Sequence, residues 1–269
     1  MLGIPYVAPL LHTPDGVDLS CYLLPQTYES LADGYRVPGH PIEDNRVDVT
    51  PAAAEARATV IVFHGNSAHH WEDMTTAGQL FAMRCNVLLL SYRGYSLSGG
   101  SPNEKGLRID AQTGLDYILD HPYLSNVPIV SGIIASNTFT SIPDIVRRWP
   151  YIGIFSFICH QKWRSADKMQ LIPTTTPILM LSGRRDQVIP PELMDKLWDA
   201  AQKRGKKRKS VFPGSCVSSN ETSDLEPTGD IFVPIRSGTH SKLSEAHLGK
   251  CPANFVQTIP PTFHNTGSQ

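Results

Sequence analysis

Three short stretches hold residues that could do chemistry. His64-Gly65-Asn66 directly follows the apolar run Thr59-Val60-Ile61-Val62-Phe63. A glycine at the end of a buried strand lets the backbone approach a substrate, and a backbone N–H there can hold an oxyanion. The same three residues also suit any tight turn. Asp186 stands just past a second apolar run, Pro177-Ile178-Leu179-Met180-Leu181. Catalytic groups of doubly wound sheets gather at that edge, where an acid can orient a histidine. An acid ahead of a helix near Pro190 would look the same. His240, in Ser237-Gly238-Thr239-His240, is the third candidate. Histidine titrates where a general base must, and acid before histidine is the order of one class of triad. A plain surface histidine is the alternative. His69, His70, His160, His247 and His264 read as structural or exposed. His69-His70 lacks the i, i+4 spacing of a helical metal pair, so neither a metal site nor a cofactor is expected.

Positioning these groups requires a sheet covered by helices, and the pattern from Ala58 onward supplies one. Short β-rich runs alternate with helical stretches, which points to an α/β class with parallel strands. Thr59–Phe63, Asn86–Ser91 and Pro177–Leu181 are continuous apolar runs, expected of strands buried on both faces. Val17–Leu23 alternates in period 2 behind the turn Thr13-Pro14-Asp15-Gly16, which predicts an antiparallel strand on the sheet's outer side. Gln26–Arg57, rich in Pro, Asp, Gly and Ala, reads as an irregular surface excursion. Ser101-Pro102-Asn103-Glu104 predicts a capping box, with Leu107, Ala111, Leu115, Ile118 and Leu119 on the inward face of the helix that follows. A second helix is expected over Glu192–Lys203, with Leu193, Leu197 and Ala200 inward and Gly205 near its stop. Ser210-Val211-Phe212 reads as the last short strand, and Gly214–Gly238 as a long disordered loop. Three segments result: residues 1–57, a strand and excursion; 58–213, the core; and 214–269, a polar insert and tail.

Bulk properties narrow the partners. The 269 residues carry a net charge of -1, which gives no electrostatic reason to expect nucleic acid or an anionic membrane as partner. The one basic run, Lys206–Lys209, suits a helix end. Five scattered cysteines without a CxxC pair argue against a disulfide framework or a zinc site and fit a reducing, cytoplasmic setting. The sequon Asn220-Glu221-Thr222 is a chance match in that setting.

Longer words in the chain are more specific than these motifs. Gly3-Ile4-Pro5-Tyr6, Thr13-Pro14-Asp15-Gly16, His64-Gly65-Asn66 and Leu89-Leu90-Ser91-Tyr92-Arg93-Gly94-Tyr95 occur in order. Glu104-Lys105-Gly106-Leu107, Asp110-Ala111-Gln112, Asn137-Thr138-Phe139-Thr140-Ser141-Ile142-Pro143, Gln161-Lys162-Trp163 and Asp186 continue them. In these words the chain resembles the bud-emergence-related α/β-hydrolase-domain proteins, a serine-hydrolase subfamily with a membrane anchor. The resemblance implies an α/β-hydrolase fold, a mostly parallel sheet with helices on both faces. It implies an esterase-, thioesterase- or lipase-like activity on lipid-like or acyl ester small molecules. Asp186 and His240 would be its acid and base, with Gly65 and Asn66 at the oxyanion. Membrane association is implied as well, though this chain shows no anchor.

One piece of the pattern is missing. A serine hydrolase of this fold needs a G-x-S-x-G elbow on a strand–turn–helix, and the sequence contains none. The family would run a strand such as Val127–Val130 into the elbow and a helix before a new strand like Ser131–Ala135. Here Val130 and Ser131 are adjacent, whereas parallel neighbours need a crossover of about a dozen residues or more. The fold is therefore expected to lack one strand–elbow–helix unit. Ser96, in Gly94-Tyr95-Ser96-Leu97-Ser98, is followed by a loop and not a helix. Cys159 ends the apolar stretch Ile154–Ile158, which reads as packing. Neither replaces the nucleophile. A hydrolase lineage inactive as written is the expectation; a non-catalytic binding or scaffold protein, or a mis-spliced product of an active hydrolase gene, are the alternatives.

Overall fold

Gly16 lets the first turn close. It takes φ +82°, which glycine adopts without steric cost, and its N–H donates to the Thr13 carbonyl. The turn joins β1 (Leu10–His12) to β2 (Asp18–Leu24), paired antiparallel with Leu11 opposite Leu19. The structure is a computed structural model that describes residues 4–33, 46–65, 70–127, 132–151, 153–205, 229–240, 243, 251–252, 254–256 and 258. The chain forms two compact units. One contains Met1–Val130 with Ala246–Gln269, and the other Ser131–Glu245. Their boundary is the Val130/Ser131 junction, whose residues lie outside the described ones.

The first unit is built on a four-stranded sheet of order β1-β2-β4-β3, with β3 Ala58–Phe63 and β4 Cys85–Leu90. β4 is interior and fully buried, antiparallel to β2 and parallel to β3. Leu19, Cys21 and Leu23 of β2 meet Leu88 and Leu90 of β4 in one core with Ala53, Ile118 and Leu124. Each buried leucine there is worth roughly 1.5–3 kcal/mol. β3 departs from the expected burial on both faces. It is only half-buried and Phe63 is exposed, because among the described residues β3 pairs with β4 alone and its other edge is open. The expected outer-side antiparallel strand is β2, and β1 lies beyond it.

Helices follow the strands. α2 (His70–Ala82) joins β3 to β4, and α3 (Glu104–Asp120) follows β4. The cap of α3 is Asn103, not Ser101. Its backbone is extended and its Oδ1 accepts from the Gly106 N–H at 2.8 Å, satisfying an otherwise orphaned first-turn donor. The buried face also differs from the leucine stripe expected. Gly106, Asp110, Gly114 and Ile118 point inward, whereas Leu115 and Leu119 are exposed. Small residues win this face because an added Cβ at Gly106 would sit 2.6 Å from the Arg93 side chain.

The excursion after β2 is pinned at both ends. Gln26 is buried; its N–H donates to Asn86 and its Nε2 to the Phe81 and Cys85 carbonyls. α1 (Tyr28–Asp33) comes next, and Ala52 and Ala53 are buried in the 3-10 turn Pro51–Glu55. Asn86 Nδ2 donates to the Ala53 carbonyl. Buried amide groups need such partners, which is why this segment is less irregular than its composition suggests. Burial pushes the thiols of Cys21 and Cys85 up to about 12 and about 11. Thiolate is the reactive form, so neither is expected to react with Ellman's reagent at pH 8 before unfolding. Rapid labelling of both in the native state would contradict the packing described.

In the second unit β5 (Ile133–Ser136), β6 (Ile178–Gly183) and β7 (Ile231–Ile235) form a parallel sheet in that order. α4 (Ile142–Val146) and α5 (Ser165–Met169) lie between β5 and β6, and α6 (Pro191–Ala201) follows β6. Leu193, Leu197 and Ala200 are buried on α6 as expected, and Met194 and Ala201 join them. β7 lies where a disordered loop was expected. Phe232 stacks on Trp198, and Asp230 forms a buried pair with Arg204 at 2.6 Å. Arg204 also donates to the Ala201, Pro173 and Thr176 carbonyls, and Asp230 accepts from the Ile178 N–H. The pair fastens the strand's entry to the rest of the unit. Residues 206–228, including the basic run, the sequon and Ser210–Phe212, lie outside the described residues.

Part of the tail is helical. Residues 251–252, 254–256 and 258 are helical, with Phe255 and Val256 buried. Two apolar residues suffice to seat this short turn, without the longer period a sequence pattern would show.

Candidate acid–base site

Asp186 and His240, 54 residues apart, meet at the C-terminal end of the three-stranded sheet. β6 ends at Gly183, and the Asp186 N–H closes a turn onto the Gly183 carbonyl. Asp186 Oδ1 accepts from the Val188 and Ile189 N–H groups, both at 2.8 Å. That leaves Oδ2 to bind His240 Nδ1 at 2.9 Å. The carboxylate side chain is 1% exposed and the imidazole 38%. Because a carboxylate only accepts, the bond assigns the proton to Nδ1 and leaves Nε2 as the acceptor. A buried acid holding a half-exposed imidazole in that tautomer is suited to general-base chemistry.

The loop that presents His240 is held by backbone approach and by one amide. The Arg184 N–H donates to the Ile235 carbonyl at 2.9 Å, and the Arg185 N–H to the Gly238 carbonyl at 2.8 Å. A Cβ on Gly183 would lie 2.8 Å from the Gly238 carbonyl oxygen, so two glycines let the strand ends touch. Asn137, just past β5, is the amide. Its Nδ2 donates to the Thr239 and His240 carbonyls at 2.9 and 3.0 Å, and its Oδ1 accepts from the Gly183 N–H at 2.8 Å. It adopts φ +41°, where Asn is enriched among non-glycine residues. Sequence reasoning gave Asn137 no role. The signal was available, because it is a polar residue directly after a parallel strand, the argument applied to Asp186.

In the first unit His64 braces its own loop: Nε2 accepts from the Tyr92 N–H at 3.1 Å and Nδ1 lies 2.9 Å from the Gly65 carbonyl. Its ring packs edge-on against Tyr92 and Tyr95. Gly65 is exposed and a Cβ there would meet nothing within 4 Å, so packing does not require a glycine at this position. Asn66 lies outside the described residues. Ser96 is exposed at φ +51°, and no helix follows it until Glu104. His12 pairs with Asp18 at the surface, and His160 is exposed. Among the described residues no cluster of three or more His, Cys, Asp or Glu could share a metal ion. No helix among them is long and apolar enough to cross a membrane.

No family model matches the chain. Protein bem46 of Schizosaccharomyces pombe is 35% identical over 195 residues, which is 63% of this chain and 64% of that protein. An uncharacterized membrane protein of Saccharomyces cerevisiae is 31% identical over 55% of this chain and 59% of its own. The alpha/beta hydrolase domain-containing protein WAV2 of Arabidopsis thaliana is 30% identical over 56% of this chain and 60% of its own. The matches thus span less than two thirds of each of these relatives. The Pyrococcus furiosus esterase Pf2001 has a similar structure, with a TM-score of 0.62 over 96% of this chain and 94% of that one at 13% identity. A Xanthomonas campestris α/β serine hydrolase without a lid gives 0.54 at 15% identity, over 96% and 97% of the two chains. At such identities the likeness concerns the fold alone, and that fold is the α/β-hydrolase fold, here a mostly parallel strand arrangement with helices. The chain is thus similar in sequence to protein bem46 and the WAV2 hydrolase-domain protein over part of their length, and it has the α/β-hydrolase fold.

Proposed function

We propose that this chain carries the acid and base of a serine-hydrolase triad without the nucleophile, and that it does not turn over esters. The observation that carries this reading is the Asp186–His240 bond at 2.9 Å in a sequence without G-x-S-x-G. Asp186 fixes the imidazole through Nδ1, so Nε2 is the atom that would take the proton of an attacking serine. Among the described residues no serine or cysteine donates to it. Gly65 and Asn66 would serve the oxyanion in the same reading. The ligand class is a lipid-like or acyl ester small molecule.

The strand edges support the missing unit. Loss of an interior strand leaves two open parallel edges, and β3 and β5 each have one among the described residues. The exposed Leu115 and Leu119 of α3 are the kind of apolar surface that a lost core helix would cover. Hydrolysis of p-nitrophenyl esters by the purified chain is expected at the rate of buffer alone. Saturable turnover that His240→Ala abolishes would contradict the proposal.

A further inference from the structure

Between α4 and α5 the chain turns its apolar residues outward. Ile154–Ile158 was expected to pack, yet Trp149, Tyr151, Ile154, Phe155, Phe157 and Ile158 are all exposed. Tyr151 is 94% exposed, Phe157 77% and Ile154 75%. Within the 3-10 turn Gly153–Ile158 only Gly153 and Ser156 are buried. Small residues thus face the protein and large apolar ones face outward, the reverse of an ordinary surface turn. The turn is also fixed. The Gly153 N–H donates to the Trp149 carbonyl at 3.0 Å, and a Cβ on Gly153 would lie 2.5 Å from the Arg147 carbonyl oxygen. A rigid apolar patch of this kind marks an interaction surface.

Charge and residue type decide what it fits. No acidic residue occurs between Asp144 and Asp167, whereas Arg147, Arg148, Lys162 and Arg164 lie there. Asp144, Glu192 and Asp167 reach three of these cations, at 3.0, 3.1 and 3.8 Å. Exposed pairs of that sort are weak and exchange readily for another anion. Arg147, Trp149, Tyr151, Gly153 and Ile154 line a shallow pocket of about 240 Å³. Tryptophan and tyrosine favour the bilayer interface, aliphatic and phenyl groups enter the acyl boundary, and arginine suits lipid phosphates.

We propose that Trp149, Tyr151 and the turn Gly153–Ile158 dock on an anionic lipid bilayer, with Arg147 and Arg148 against its phosphates. The apolar tips enter the interface while Gly153 and Ser156 keep the turn seated. This surface lies within one unit and does not depend on whether the chain hydrolyses esters.

Flotation of the full chain on a density gradient tests it, because bound protein rises with vesicles whereas aggregates sink. With vesicles of phosphatidylcholine and a minor share of phosphatidylserine, the parent is expected to float. The double variant Ile154→Glu, Phe157→Glu should bind about tenfold less tightly or worse. Tyr151→Ser, at the most exposed position, gives a milder loss without endangering the fold, which circular dichroism checks. Arg147→Gln with Arg148→Gln should remove the preference for anionic over neutral vesicles. Failure of the parent to float, or equal flotation of the Glu variant, would overturn the proposal. So would sedimentation showing a dimer that the Glu variant dissociates while the parent ignores vesicles, which would assign the patch to a second copy.

Discussion

Asp110→Ala is expected to destabilise the unit formed by Met1–Val130 and Ala246–Gln269 by about 3–5 kcal/mol, the largest loss expected of any single substitution here. Arg93 is buried and its guanidinium is divided between two carboxylates. Asp110 Oδ1 takes Nε and an Nη at 2.9 and 2.8 Å, and Oδ2 takes the Arg93 backbone N–H at 2.9 Å. Asp15 takes two guanidinium N–H groups at 2.7 and 2.9 Å. Removing one member of a buried pair strands the other charge and costs about 3–5 kcal/mol. Total stabilities are only about 5–15 kcal/mol, and two open sheet edges leave little reserve. Limited proteolysis should cleave β1 to β4 and α3 at once in the variant, and Asp110→Asn, which retains an acceptor, should be milder. Parent-like resistance of Asp110→Ala would contradict the role given to this cluster.

The same cluster sets an acid limit. Hydrogen bonds from Arg93, then from the Thr13 hydroxyl, hold the Asp15 carboxyl well below the usual carboxylate range. A depressed folded value means that its contribution is complete above the unfolded value of about 3.9 and drains away as pH falls below it. Asp15→Asn should therefore destabilise the chain at neutral pH and flatten this part of its acid unfolding.

On the proposed reading, inserting a strand–turn–helix with a serine elbow between Val130 and Ser131 is expected to give the chain esterase activity. Such a unit needs about 30 residues. It would bring a nucleophile, a second oxyanion N–H from the residue after it, and a strand for the open parallel edges. On the proposed reading the bonded Asp186–His240 pair would serve that serine as acid and base, so ester turnover should rise about a million-fold over buffer, the low end of enzymatic acceleration. The cooperative melt should sharpen as well. A folded insertion chain that stays at the buffer rate would show that the Asp186–His240 pair is not an acid and base in waiting.

What was legible in the sequence was what period and punctuation carry. The turn at Gly16, β2 and β4, and the inward face of α6 follow from alternation, apolar runs and helical spacing. Asp186 drew notice because it stands just past an apolar run, and His240 because an acid precedes it in the chain; that the two are hydrogen-bonded is legible only in the fold. Burial of β3 was not, since an apolar run has no mark that says whether a neighbouring strand is present. The face of α3 was misread because Gly106 and Gly114 make room for close contact where leucine would only cover surface. β7 was hidden inside a polar stretch, because its place rests on a long-range pair, Arg204 with Asp230, that no local pattern announces. Asn137 went unnoticed since its work is done by both ends of one amide across three strands.

The most direct test is fluorophosphonate labelling of the unmodified chain, read by intact mass and peptide mapping. The expected result is no adduct, because on the proposed reading Asp186 and His240 have no serine to activate. One stoichiometric adduct on a single serine, lost on His240→Ala, would contradict the missing nucleophile.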